Sequence, residues 1–113
     1  MTARTQRRNT AAAAAPVFAA LGDPTRLALV SRLGIEGPLS ITRLAEDSPV
    51  TRQAITKHLN VLNDAGLVRS AKQGRERIWE VEAAQIAAAR RFLDEVSSQW
   101  DSALQRLKRH VER

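Results

Sequence analysis

The segment from Thr51 to Ala65 constrains the fold more than any other stretch of this chain. Set at about 100° per residue, Ala54, Ile55, Leu59, Val61, Leu62 and Ala65 fall within an arc of about 160°. The opposite side carries Arg52, Gln53, Thr56, Lys57, Asn60, Asn63 and Asp64. Such a helix buries one side and leaves a band of long hydrogen-bonding side chains outside. Thr51 stands where an N-cap is needed and Gly66 just past the end, with Leu67 as the apolar residue that follows such a stop.

What surrounds this helix narrows its use. Upstream, Pro16 is expected at the first turn of a short helix carrying Val17, Phe18, Ala20 and Leu21, which Gly22 ends. Asp23-Pro24 reads as an N-cap followed by proline at the first helical position. The helix it opens carries Leu27, Val30 and Leu33, with Arg26 and Arg32 expected outward, and Gly34 to Pro38 stops it. Ser40 caps a short third helix holding Ile41, Leu44 and Ala45, which Ser48-Pro49 breaks. Downstream the period changes: Leu67-Val68-Arg69 and Ile78-Trp79-Glu80-Val81 read as two strands joined around Gln73-Gly74. The expected fold is therefore mainly α with a small β-hairpin wing: a winged helix-turn-helix of three to five helices, ending in a long C-terminal dimerisation helix. Residues 1–15, with Arg4, Arg7, Arg8 and an alanine run, read as a basic flexible arm, and residues 16–113 as the DNA-binding and dimerisation domain.

Charge follows the same map. The chain of 113 residues carries a formal net charge of +6. Between Thr51 and Arg77, Arg52, Lys57, Arg69, Lys72, Arg75 and Arg77 face only Asp64 and Glu76, a net +4, whereas Pro16 to Val50 comes to −1. A basic stretch laid over a helix and a hairpin is the footprint of a polyanion partner. The major groove of duplex DNA admits one helix, whose N-terminal residues approach the base edges. Gln53, Thr56 and Lys57 are the expected base readers. Thr51, Arg52 and the wing residues Lys72, Arg75 and Arg77 are the expected backbone contacts. His58 lies near the middle of the apolar arc and is expected to be a partly buried structural imidazole.

Other functions find little support. There is no cysteine, which removes disulfides, zinc–thiolate sites and thiol catalysis. No glycine-rich phosphate loop, paired-carboxylate set or nucleophile motif appears, and Ser31, Ser97 and Ser98 stand in ordinary helical contexts. No enzymatic activity, metal or cofactor is expected. No apolar run reaches the length of a membrane span, and the expected location is the cytoplasm.

From Ala83 a final helix carries Leu93, Val96, Trp100, Leu104, Leu107 and Val111 at alternating steps of three and four. About 30 residues of helix reach about 45 Å, further than the body of so small a domain. Val96, Trp100, Leu104 and Leu107 are therefore expected to meet a second subunit, giving a homodimer on a pseudo-palindromic site. A small apolar effector entering that interface near Trp100, or a winged-helix module that binds protein instead of DNA, are the alternatives.

Over Val17 to Glu82 the chain resembles the ArsR family of winged-helix regulators. The resemblance is carried by Leu21-Gly22-Asp23-Pro24-Thr25-Arg26, by Thr51-Arg52-Gln53-Ala54-Ile55-Thr56-Lys57-His58-Leu59, by Val61-Leu62 with Ala65-Gly66-Leu67-Val68, and by Gly74-Arg75-Glu76-Arg77. It implies a homodimeric repressor whose first and last helices form the interface, which adds Val17, Phe18 and Leu21 to the expected dimer contacts. It also shows departures. Metal-sensing members carry cysteines where this chain has Ser40-Ile41-Thr42-Arg43, and Asp94 and Asp101 have no suitably spaced histidine. The resemblance is to the metal-independent branch.

Overall fold

Three side-chain oxygens set where the central helices begin. In the computed structural model, which describes residues 3–46 and 48–112, Asp23 Oδ2 accepts from the Arg26 amide at 3.0 Å and opens α2 (Pro24–Glu36). Ser40 Oγ accepts from the Arg43 amide at 3.2 Å and opens α3 (Ile41–Ala45). Thr51 Oγ1 accepts from the Ala54 amide at 3.1 Å and opens α4 (Arg52–Asp64). Each satisfies an amide that the first turn would leave without a partner.

The end of α4 is fixed as firmly. The Leu67 amide donates to the Leu62 carbonyl at 3.0 Å and the Gly66 amide to the Asn63 carbonyl at 2.9 Å. This pair of bonds requires a left-handed residue, and Gly66 has φ +76°. The turn throws Leu67 into the core and sends the chain into β2 (Val68–Gln73) and β3 (Glu76–Val81), an antiparallel hairpin with Gln73 opposite Glu76 at its tip.

A third strand joins that hairpin, which sequence alone does not announce. β1 (Leu39–Ser40) pairs with β3, Leu39 opposite Trp79 and Ser40 opposite Ile78, giving the order β1-β3-β2. Ser40 thus ends a strand and caps a helix at once. The sheet covers one side of a core in which Leu44, Ile55, Leu59, Leu62, Leu67 and Val68 are fully buried, together with Leu29, Leu33 and Trp79. The Trp79 indole N–H has no acceptor among the described residues, so packing alone holds the ring.

The first helix departs from expectation. α1 runs Ala3–Leu21 with Pro16 inside it, where a basic flexible arm over 1–15 and a start at Pro16 were expected. Ala14 is buried, and Ala13, Ala14 and Val17 line a small cleft with Gln85, Ala88, Ala89 and Phe92 of α5 (Ala83–Val111). Alanines on both helices let the backbones lie close. Phe18 and Phe92 meet with ring centroids 5.7 Å apart. Val17, expected at a subunit interface, is only 3% exposed within its own chain and has no surface to give a partner.

The inward face of α2 also differs. Leu27 is 54% exposed, while Leu29 and Leu33 are buried. Steps of three and four from Leu33 back through Leu29 reach Arg26, so the stripe begins at an arginine, which the apolar pattern passes over. Arg26 Nε donates to the Ala20 carbonyl at 2.6 Å and caps the end of α1. Arg32, likewise expected outward, bonds Glu36 at 2.6 Å and reaches the Arg43 and Leu44 carbonyls, joining α2 to α3.

Beyond Phe92, α5 leaves the body. Its 29 residues span about 44 Å, and the radius of gyration is 18.4 Å against about 13 Å for a compact chain of this length. Trp100 is 64% exposed, and Leu93, Leu104, Leu107 and Val111 are exposed with it, while Val96 is half-buried.

Leu59→Ala should lower the unfolding free energy by about 2–5 kcal/mol through loss of burial and a residual cavity. Ile35→Ala, at an exposed position, should change it by no more than about 0.5 kcal/mol. Denaturant midpoints at constant slope measure both.

Candidate nucleic-acid interface

Because Ile55, Leu59 and Leu62 are buried, the other side of α4 is held outward. Arg52, Gln53, Lys57, Asn60, Asn63 and Asp64 are exposed. Gln53, Lys57 and Asn60 follow at steps of four and three, forming one polar stripe along the helix. Thr56 is half-buried and its hydroxyl donates to the Arg52 carbonyl at 3.0 Å, which spends its proton inside the helix. Its methyl group and remaining lone pair are what it can offer a partner.

The wing carries its charges on the side that continues the core face. Val68 pairs with Val81, Ser70 with Trp79 and Lys72 with Arg77, and directly opposed residues share a face. The face that buries Val68 and Trp79 at its base therefore presents Lys72 and Arg77 toward its tip. Two cations opposed in this way destabilise a sheet. Arg77 Nη1 donates to Ser70 Oγ at 2.8 Å, and Arg75 lies in the turn beside it.

Arg69 does not belong to this set, although it counts in the basic stretch. Its guanidinium bonds Glu80 at 2.6 Å and Glu82 at 3.1 Å on the opposite face, and the Glu80 bond raises its affinity for the proton further. Among the described residues, Arg52, Lys57, Lys72, Arg75 and Arg77 make no such ion pair. The useful positive charge lies on α4 and the wing.

His58 is structural, as its place in the apolar arc implies. It is half-buried, with Nδ1 3.4 Å from Arg26 Nη1 and 3.9 Å from Asp23 Oδ2. A guanidinium only donates, so in this contact Nδ1 is the acceptor. The cluster of the Ala20 carbonyl, Arg26, His58 and Asp23 ties the middle of α4 to the junction of α1 and α2. Thr42 is a residue the sequence reading missed: it joins Arg52, Arg75 and Arg77 in the lining of a crevice between α3 and the wing. The only signal was its place at the start of the helix before α4.

A short helix, a tight break, a second helix with an outward polar stripe and a basic hairpin beside it constitute a winged helix-turn-helix, the arrangement of proteins that bind double-stranded DNA. The comparisons agree. A helix-turn-helix domain family matches residues 21–71. The chain is 42% identical over 85 residues to an HTH-type transcriptional regulator of Mycobacterium tuberculosis, covering 75% of this chain and 76% of that one. An ArsR-like transcriptional regulator from Rhodococcus sp. RHA1 superposes with a TM-score of 0.76 at 42% identity, covering 89% of this chain and 94% of that one. The transcriptional repressor BigR from Xylella fastidiosa superposes with a TM-score of 0.65 at 26% identity, over 83% and 92%. The chain belongs to the ArsR family of winged-helix transcriptional regulators; it is a DNA-binding protein and not an enzyme. Among the described residues no helix is long and apolar enough to cross a membrane.

The Asp23 carboxyl is held below its ordinary value of 3.8 chiefly by the Arg26 amide, with the Arg26 charge assisting against partial desolvation. A carboxylate so depressed stabilises the fold above its unfolded value, and that contribution disappears as the pH falls through the folded one. Asp23→Asn keeps an N-cap acceptor but loses the charge. It should be less stable than the wild type at neutral pH, with the gap closing once the pH passes below 3.8. Chemical denaturation at neutral and acid pH measures the gap.

Proposed function

We propose that this regulator is a cytoplasmic homodimeric repressor of nearby genes that acts without a metal. Gln53, Thr56 and Lys57 read bases in the major groove of a pseudo-palindromic operator, and Thr51, Arg52, Lys72, Arg75 and Arg77 hold its backbone. The observation that carries this reading is the pairing of the exposed Gln53–Lys57 stripe with the opposed cations Lys72 and Arg77 on the adjacent wing. An isolated protein gains nothing from opposing two cations, whereas a phosphate backbone reverses the sign of that contact. A glutamine amide can satisfy adenine with two bonds, and a lysine can reach guanine.

The dimer is supported by α5. A row of Trp100, Leu104 and Leu107 standing in water on a projecting helix is the kind of apolar surface that a second copy covers. Half-buried Phe18, which meets Phe92, and half-buried Val96 and Leu21 can extend the contact, whereas Val17 cannot. Two-fold symmetry would present two α4 helices to successive major grooves. Repression is supported by the likeness to a known repressor: a dimer seated on a promoter excludes polymerase by occupancy. Metal independence is supported by the absence of cysteine and by Ser40-Ile41-Thr42-Arg43 at the start of α3.

Gln53→Ala should weaken binding to the region upstream of the regulator's own gene by about 1–3 kcal/mol while leaving binding to random duplex nearly unchanged. Equal losses in a gel shift would remove Gln53 from base reading. Trp100→Asp should sediment as a monomer; an unchanged mass would place the subunit contact elsewhere. Chelation by EDTA should leave operator affinity unaltered, and release of DNA by added zinc would overturn metal independence.

A further inference from the structure

The residues expected to hold the DNA backbone do not act as separate contacts. Arg52 at the start of α4 and Arg75 and Arg77 of the wing line one crevice of about 210 Å³, together with Ser40, Ile41, Thr42 and Glu76. Three arginines line it against the one carboxylate of Glu76, so the crevice is net positive, with α4 and the wing both contributing. We propose that this crevice seats the sugar–phosphate strand dividing the major groove from the adjacent minor groove, and that Arg52 and Arg77 grip the same phosphate from its two sides.

The inference rests on the DNA-binding reading and deepens it. With α4 in the major groove and the wing reaching over the next minor groove, the duplex must pass one strand between them. The crevice is the space the protein leaves there. Its chemistry fits a phosphodiester: each guanidinium offers a planar fork of donors that matches phosphate oxygens. Arg77 is already positioned, because Ser70 Oγ engages one of its N–H groups at 2.8 Å and leaves the others unspent. Ser70 is thus a positioning residue that touches no phosphate. Ser40 Oγ is committed to the Arg43 amide, which leaves Thr42 as the hydroxyl able to reach the strand from the α3 side. Lys57 and Lys72 lie outside this lining and contact other phosphates or bases.

Two arginines on a shared ligand couple, whereas two on separate phosphates do not. The test is a double-mutant cycle on full-length protein, with Arg52→Ala, Arg77→Ala and the double variant titrated against a mixed-sequence DNA duplex over a range of salt. The expected result is a double variant at least about threefold tighter than the product of the two single losses requires. The slope of log affinity against log salt should fall by about 0.9 in total, the release expected of one phosphate. Lys57→Ala with Lys72→Ala is the control pair and should be multiplicative. Ser70→Ala should weaken binding in the wild type and have no effect in the Arg77→Ala background. Multiplicative losses for Arg52 and Arg77, or a slope falling by about 1.8, would overturn the shared seat while leaving DNA binding intact. A wild-type chain that binds no duplex at all would overturn both.

Discussion

The burial of Ile55, Leu59 and Leu62 is the constraint on which the rest of the molecule depends. Each large apolar side chain taken fully out of water contributes about 1.5–3 kcal/mol, and these three lie on one stripe of a single helix. Rotating α4 by even one residue would expose part of that stripe and bury part of its polar side. The outward polar face is therefore fixed by the core and needs no rigidity of its own. The two ends of α4 complete the constraint: Thr51 holds the first turn, and the left-handed Gly66 ends the last one with Leu67 turned inward.

Positive charge in this chain is divided between two uses, and the partners of each cation show which is which. Arg26 and Arg32 spend their guanidinium groups on carbonyls at helix ends, and Arg69 spends its own on Glu80 and Glu82. Arg52, Lys57, Lys72, Arg75 and Arg77 are arranged without such compensation among the described residues. Repulsion among the second group opposes folding, and the core must offset it. A net charge of +6 identifies a polyanion partner in general terms. The unpaired subset on α4 and the wing marks where positive charge is left uncompensated.

Local rules were legible in the sequence, and the features they miss depend on distant partners. The caps at Asp23, Ser40 and Thr51 and the stop at Gly66 involve residues within a turn of one another, so a pattern of types at fixed spacing suffices to find them. The outward side of α4 follows from period alone. Arg26 does not, because it is drawn inward by the Ala20 carbonyl and His58 of two other elements. β1 is two residues long and exists only because β3 offers an edge opposite Leu39 and Ser40. The stretch of α1 before Pro16 reads as a frayed arm until the alanines of α5 are known to lie against Ala13 and Ala14. Val17 was placed at a subunit contact by family resemblance, and packing within its own chain takes it away. Thr42 comes beside Arg52, Arg75 and Arg77 only when the wing folds back toward α3, which no local pattern encodes.

The same geometry shortens the physical route between the projecting helix and α4. The Glu82 amide, immediately before α5, donates to the Leu67 carbonyl at 2.8 Å, and Gln85 Nε2 reaches the Ala65 carbonyl at 3.4 Å. The Gln85 side chain also lies 3.7 Å from where a Cβ on Gly66 would stand, so the stop of α4 and the root of α5 are packed as one joint. A change in the tilt of α5 therefore has to be absorbed at the C-terminal end of α4 or along β3. Packed interiors switch between discrete arrangements more readily than they deform smoothly. The direction in which α5 projects and the way α4 is aimed are thus two consequences of one piece of packing.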